Sequence, residues 1–316
     1  MAIKKKNILI LGGTGFIGRN LVEELSKIKN FKVFASYHKR KKFNNKNVTW
    51  VKANLKNKKK IDNILKNKDI IIQAAAVTTS SKDVINRPYI HVTDNIIINT
   101  LLLRSAFENN IKHFIFFSCT VMYNSSNVKH DEKSKNIVKE DSPYFGVGNM
   151  KMYIEKQALF YSKLKRTKFT ILRHSNIYGP HDKFDENSAH VLPNFLNKAL
   201  NEKKIFSIWG NGKSVRDFLY IGDLINCIKI IIAKQKSNYE IFNVGSNNPI
   251  TILQLAKIIL KVVKRKKIIK YVNKSFSIDN KIKISNKKIN SLNWRPKYSL
   301  ELGVRKTINW LKASSK

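Results

Sequence analysis

Short apolar runs punctuate the first half of the chain at regular intervals, and each is followed by a longer amphipathic stretch. Residues 8–11 (Ile-Leu-Ile-Leu) are the first such run, and residues 31–36, 48–51, 69–76, 114–118 and 169–173 repeat the pattern. The runs are continuously apolar rather than alternating, the signature of strands buried on both faces. The segments between them, notably 16–28, 89–109 and 149–165, read as helices. Strands alternating with helices predict an α/β fold with a doubly wound parallel sheet of Rossmann type. Beyond residue 173 the rhythm breaks. A loop-rich stretch (174–193) precedes a helix at 195–200 and short strands at 205–209 and 218–221 about the turn Gly210-Asn211-Gly212. Helices at 224–233, 253–264 and 300–311 and a strand at 240–244 follow. The pattern predicts a dinucleotide-binding domain over 1–173 plus about 214–245. A smaller discontinuous substrate-binding lobe is expected from about 174–213 and 246–316, with a cleft between the two.

The first run ends in glycines at the spacing Gly12, Gly15, Gly18, and a helix pattern begins at once. The first glycine permits a tight turn, the second a close approach of backbone to a pyrophosphate, and the third close packing of helix on strand. Phe16 and Ile17 then open a helix whose free N–H groups and positive dipole end face the phosphates. The second strand ends in Ser36-Tyr37-His38-Lys39-Arg40, with no acid for a ribose 2′-hydroxyl. A hydroxyl followed by the cations Lys39 and Arg40 suits a 2′-phosphate, so NADP is expected, with NAD the alternative. The small residues Ala74, Ala75 and Ala76 end the fourth run and leave room for a cofactor.

Composition changes this picture little. The net charge is +40, and 51 of the 61 cations are lysines spread along the whole chain. Nucleic-acid sites favour arginine for bidentate and stacking contacts, so the charge reads as a lysine-rich surface rather than a nucleic-acid interface. No apolar run reaches the roughly 18 residues of a membrane span, and the basic start of the chain leads into a strand rather than a cleavage site. A cytoplasmic protein is expected. Two cysteines, Cys119 and Cys227, make no disulfide framework, and no metal site is indicated.

Taken together the motifs resemble the extended short-chain dehydrogenase/reductase family, the NAD-dependent epimerases and dehydratases of nucleotide sugars. The likeness runs through Gly12 to Gly18, Ala74 to Ala76, Asn95, Leu172 to Pro180, Arg216 to Leu224, Asn243 to Gly245, Trp294-Arg295-Pro296 and Leu300 to Gly303. Within the family, Tyr178 to Phe184 followed by Ser188 to Pro193 is similar to the GDP-L-fucose synthase branch. The resemblance implies a homodimer formed through the helices at about 90–109 and 149–165. It implies hydride transfer at C4 of a keto-deoxy sugar nucleotide, with a Tyr as proton donor to the 4-oxygen. It also implies a Lys four residues later on the nicotinamide ribose, and a Ser or Thr after the fifth strand.

By the same resemblance the lysine is Lys151, but the residue four before it is Val147. The nearest upstream phenol is Tyr144, on the family's Pro-Tyr if the alignment is set on Pro143 instead. Cys119 falls on the Ser/Thr position, with Ser118 and Thr120 flanking it. Val121 stands where that branch has a cysteine used as epimerisation base. His190 aligns with the acid of the epimerisation. Asn95, Arg173 and Asn176 are implied near cofactor and substrate, and Lys198, Trp209 and Arg216 near the nucleotide and its diphosphate. Asp223 is expected to fix local structure. Two functions stay open: a nucleotide-sugar epimerase or reductase, and an NADP(H)-binding member with impaired or no catalysis.

Overall fold

The computed structural model describes residues 5–78, 87–134, 138–185, 188–201, 204–272 and 281–314. Seven strands form one parallel sheet: β1 (Lys6–Leu11), β2 (Phe31–Tyr37), β3 (Val48–Lys52), β4 (Ile70–Gln73), β5 (His113–Cys119), β6 (Lys168–His174) and β11 (Tyr239–Val244). Their order is β11-β6-β5-β4-β1-β2-β3, and every pair is parallel. This is the doubly wound arrangement, with the chain reversing its direction of travel between β1 and β4, where ligands bind. Side chains alternate across the sheet. Ile8 and Ile10 of β1 join the apolar layer on one face, and Leu9 and Leu11 join the layer on the other. All four are fully buried, which is why the run carries no polar residue.

Helices α1 (Phe16–Leu25), α2 (Lys58–Leu65), α3 (Thr93–Glu108) and α4 (Phe145–Lys163) connect the first six strands. Past β6 the chain builds three two-stranded sheets: β7 (Asn176–Tyr178) with β10 (Phe218–Tyr220), β8 (Ile205–Trp209) with β13 (Ile268–Val272), and β9 (Val215–Arg216) with β12 (Ile250–Thr251). Helices α5 (Val191–Asn201), α6 (Ile221–Lys234), α7 (Ile252–Val263), the short α8 (Lys287–Asn290) and α9 (Leu300–Ser314) complete this part. Asp223 fixes structure as expected. Its carboxylate accepts the Lys297 and Tyr298 N–H groups at 2.8 and 3.1 Å, and its carbonyl accepts the indole N–H of the fully buried Trp294 at 3.1 Å.

Several boundaries differ from the sequence pattern. The fourth strand stops at Gln73 rather than 76, because the Gln73 side chain accepts the Ala75 N–H at 3.2 Å and donates to the Ala75 carbonyl at 3.0 Å, turning the chain out of the sheet. The helix predicted from 89 begins as a 3₁₀ turn at Pro88–His91 before α3 starts at Thr93. Strand β13 was not predicted; it is largely exposed and follows a basic run at 264–267, which hides its pairing with β8. The largest difference is α4. It starts at Phe145 rather than 149 and takes Gly146 and Gly148 into its first turn. Gly148 is needed there: a Cβ would lie 2.8 Å from Val138 Cγ1 and 3.3 Å from Met122 Cα.

Candidate active site

A cleft of about 950 Å³ lies over the carboxyl ends of β1, β2, β4, β5 and β6. One end is built by the glycine turn. Gly12 has φ +73°, and a Cβ on it would stand 2.7 Å from Ala75 Cα. A Cβ on Gly18 would stand 2.0 Å from the Gly12 carbonyl oxygen. Gly12, Gly15, Phe16 and Ile17 therefore line the cleft, whereas Gly18 is a packing glycine that brings α1 against the turn. No side chain caps the start of α1, so its first N–H groups are left for an anion. The cradle that glycine leaves open, together with an uncapped helix N-terminus, fits a dinucleotide pyrophosphate. Ser36 has a different task from the one its sequence suggested. Its Oγ accepts the Gly12 N–H at 3.0 Å and its carbonyl accepts the Gly13 N–H at 2.8 Å, so it holds the turn. Lys39 and Arg40 do line the cleft.

Ala74, Ala75 and Ala76 form the adjoining wall. Two amides hold this loop. Gln73 donates to Asn99 Oδ1 at 3.0 Å. The Asn95 side chain accepts the Val77 N–H and donates to the Val77 carbonyl, both at 3.0 Å, and to the His91 carbonyl at 2.8 Å. Asn95 was expected at the cofactor. It is instead buried and fully hydrogen-bonded within the chain, and it shapes the wall without lining it.

At the other end, Cys119, Thr120, Val121, Tyr144, Val147, Lys151, His174, Asn176 and His190 share the cleft. Lys151 Nζ donates to the Phe117 carbonyl at 2.7 Å and sits 4.7 Å from the Phe116 ring centroid. Burial holds its pKa below the ordinary lysine value, with the nearby Cys119 and Glu155 opposing the shift. Burial pushes the Cys119 thiol up, so it stands as a neutral thiol rather than a thiolate. Ser118 gives its hydroxyl proton to Glu155 Oε1 at 2.6 Å and is removed from the chemistry. The Thr120 hydroxyl makes no hydrogen bond to another described residue.

Tyr144 immediately precedes α4, and its carbonyl accepts the Gly148 N–H at 2.8 Å. Seven residues separate it from Lys151. At about 3.6 residues per turn that is close to two full turns, so Tyr144, Val147 and Lys151 stand in file along the cleft. The early helix start thus brings Tyr144 to the face that a later start would have denied it.

Arg173 does not reach the cleft. It is 8% exposed and pairs with Glu155 at 2.6 Å, with further bonds to the Tyr123 hydroxyl at 2.8 Å and the Glu132 carbonyl at 3.2 Å. Its expected cofactor role is replaced by a buried ion pair beneath the site. Lys198, Trp209 and Arg216 lie outside the cleft lining. Lys198 donates to the Ser207 carbonyl and hydroxyl, and Trp209 is half exposed on β8.

His174 was missed. It lies inside a quoted motif, but nothing in the sequence told an inward from an outward imidazole. Its Nδ1–H donates to the Ser175 carbonyl at 2.7 Å, which leaves Nε2 as an acceptor. Burial lowers its pKa to about 4, so it is neutral. Partial desolvation in the cleft, then the charges of Lys183 and His91, also hold the solvent-exposed His190 below its ordinary 6.5. No group of three or more metal-ligating side chains occurs among the described residues.

A model of the NAD dependent epimerase/dehydratase family matches residues 8–245, from β1 to the end of β11. The chain belongs to that family. It is 30% identical over 225 residues to GDP-L-fucose synthase of Sinorhizobium fredii, covering 68% of this chain and 70% of that one. It is 27% identical to dTDP-D-glucose 4,6-dehydratase of Dictyostelium discoideum, covering 97% of this chain and 82% of that one. UDP-glucose 4-epimerase of Thermotoga maritima, solved with UDP-glucose, superposes with a TM-score of 0.85 at 26% identity, covering 98% of this chain and all of the other. As a member of this family the chain is an NAD-dependent type of enzyme. Among the described residues no helix is long and apolar enough to cross a membrane.

Proposed function

We propose that the protein is an NADP-preferring, cytoplasmic nucleotide-sugar epimerase or reductase acting at C4 of a keto-deoxy sugar nucleotide, close to GDP-L-fucose synthase in chemistry. The observation that carries this reading is the file of Tyr144 and Lys151 along α4, in a cleft that His190 also lines. The parallel sheet with its glycine turn serves the cofactor. The lobe over about 174–213 and 246–316 serves the sugar nucleotide, which Lys198, Trp209 and Arg216 grip. When bound, the nicotinamide supplies or accepts the hydride. Tyr144 gives the 4-oxygen its proton or takes it away. Lys151 orients the nicotinamide ribose and stabilises the phenolate. Thr120 donates a second hydrogen bond to the 4-oxygen, and Asn176 positions the sugar. Cys119, a neutral thiol, packs against this group. Lys39 and Arg40 hold the 2′-phosphate, since two cations with no acid beside them favour NADP over NAD.

Incubation with GDP-4-keto-6-deoxymannose and NADPH tests the reading. Loss of reduced nicotinamide is the expected result; tight NADPH binding with no loss on this or any related sugar nucleotide would favour a cofactor-binding member without turnover, the reading that Val147 motivates. His190→Asn is expected to slow solvent deuterium incorporation into the sugar about 10²-fold while leaving NADPH consumption nearly unchanged. The sign of the pH dependence follows from the lowered pKa. An acid with its midpoint below 6.5 is lost as pH rises through that value, so exchange should fall with rising pH in the wild type. That limb should vanish in the variant.

The outward face of α3 and α4 leaves Ile97, Tyr153, Phe160 and Leu164 at least 40% exposed. Tyr153, Phe160 and Leu164 recur at intervals of seven and four, one stripe of a helix. We assign this stripe to a homodimer contact. Tyr153→Glu with Phe160→Glu should convert the protein from dimer to monomer in light scattering; a wild type that is already monomeric removes the assignment.

A further inference from the structure

Lys183 lies on the loop between β7 and α5, more than 140 residues beyond the cations that follow β2. It nevertheless lines the same cleft as Lys39 and Arg40. Its Nζ donates to the Thr78 carbonyl at 2.8 Å, so the side chain straps the loop after β7 to the loop after β4. The base of this strap is fixed to α1. The Pro180 carbonyl accepts the Asn20 amide at 2.8 Å, His181 Nε2 meets Glu23 Oε2 at 3.1 Å, and the His181 ring packs on Trp310. His181 takes φ +66°, a left-handed conformation that a non-glycine residue adopts only when its surroundings hold it there. The ammonium is therefore placed by the fold.

The strap sets like charges together. Burial first, and then the positive charge of Arg40, hold Lys183 below the ordinary lysine pKa, against the pull of Asp182 and Asp185. Neither Lys39, Arg40 nor Lys183 makes an ion pair with another described residue. Asp182 makes no ion pair with Lys183, and burial raises its pKa to about 7, so the counter-charge it offers is weakened. Its Oδ1 accepts the Lys183 backbone N–H at 2.8 Å and its Oδ2 is buried without a partner. Lys183 and Arg40, cations from two distant loops that line one cleft, repel each other, and an anion between them offsets that penalty.

We propose that Lys183 and Arg40 together hold one phosphate of the bound dinucleotide, so that Lys183 ties the loop after β7 to the cofactor. The inference rests on the dinucleotide reading of the cleft and not on the preference for NADP. Phosphate in this position comes from either of two parts of the cofactor, the 2′-phosphate or the pyrophosphate, and the choice of ligand separates them.

Titration calorimetry of the full chain with NADP⁺ and with NAD⁺ is the test, read as affinity without any sugar substrate. Lys183→Gln removes the charge but retains a donor for the Thr78 carbonyl, and Lys183→Arg retains the charge. The Gln variant should lose about tenfold in affinity, the scale of one charge-assisted phosphate contact, and the Arg variant should stay within about threefold of wild type. A loss confined to NADP⁺ assigns the 2′-phosphate; an equal loss for NAD⁺ and NADP⁺ assigns the pyrophosphate. Unchanged binding of both cofactors by Lys183→Gln, in a protein whose melting temperature is unaltered, overturns the proposal. Wild-type protein that binds NAD⁺ as tightly as NADP⁺ overturns only the NADP preference, because the Lys183 contact is then still judged on the NAD⁺ arm.

Discussion

Tyr144→Phe should reduce hydride transfer by about 10²–10⁴-fold, the usual contribution of a positioned proton donor, while leaving cofactor affinity within about twofold. The expectation follows from where α4 starts. A helix beginning at residue 149 would leave Tyr144 in a loop with no fixed relation to Lys151. Beginning at Phe145, it puts the phenol nearly two turns from the lysine on a rigid element. The residue one turn nearer, Val147, also faces the cleft and has no proton to give. The double probe is decisive. Val147→Tyr restores a phenol at the family spacing, so if Tyr144 is idle this change raises the rate and Tyr144→Phe does nothing. If Tyr144 is the donor, Tyr144→Phe abolishes turnover and the added phenol at 147 crowds the cleft and lowers the rate. Steady-state NADPH oxidation, with cofactor affinity measured separately, distinguishes a lost proton donor from a lost binding site.

What the chain reveals before folding, and what it hides, follows from physical causes. The β1 turn and the sheet were legible because a strand buried on both faces must be apolar throughout, and because the backbone clashes at Gly12 and Gly18 exclude any side chain. The start of α4 was hidden because glycine is a poor helix former. Gly146 and Gly148 argue locally against the helix, whereas contacts with Val138 and Met122 demand glycine at 148, and a Cβ at 146 would press on Val92 at 3.2 Å. That reason lies in tertiary packing and not in the local sequence. Asn95 and Arg173 mark a second blind spot. A polar residue in a motif reads the same whether it faces a ligand or a partner within the chain. Only the fold shows that the Asn95 amide is satisfied by Val77 and His91, and that Glu155 of α4 meets Arg173 of β6. Lys183 is the converse case. Its sequence neighbours suggest nothing about Arg40, and the return of the loop across α1 brings the two together.

The buried pair also yields the largest stability effect expected for a side chain that touches no ligand. Arg173 joins Glu155, Tyr123 and the Glu132 carbonyl beneath the floor of the cleft, and Ser118 completes the coordination of the same carboxylate. Glu155 and Arg173 retain only 5% and 10% of their side-chain exposure. Arg173→Met would leave the Glu155 carboxylate in a low-dielectric site with the Ser118 hydroxyl as its remaining side-chain donor. Breaking one side of such a pair costs about 3–5 kcal/mol. Replacing both partners by apolar residues costs far less, because no charge is stranded. The single variant should therefore melt well below the wild type, and Arg173→Met combined with Glu155→Leu should recover much of the loss. The Ser118 hydroxyl loses its acceptor in that double variant, and the Tyr123 hydroxyl and Glu132 carbonyl lose a donor, so the recovery should be incomplete. Cofactor affinity, measured at a temperature where each variant is folded, should be nearly unchanged throughout. A stable Arg173→Met protein with weakened NADP⁺ binding would reverse the assignment and return Arg173 to the cofactor. The two outcomes separate cleanly because Arg173 stands on β6 and its guanidinium is engaged from several sides by groups of its own chain, none of which lines the cleft.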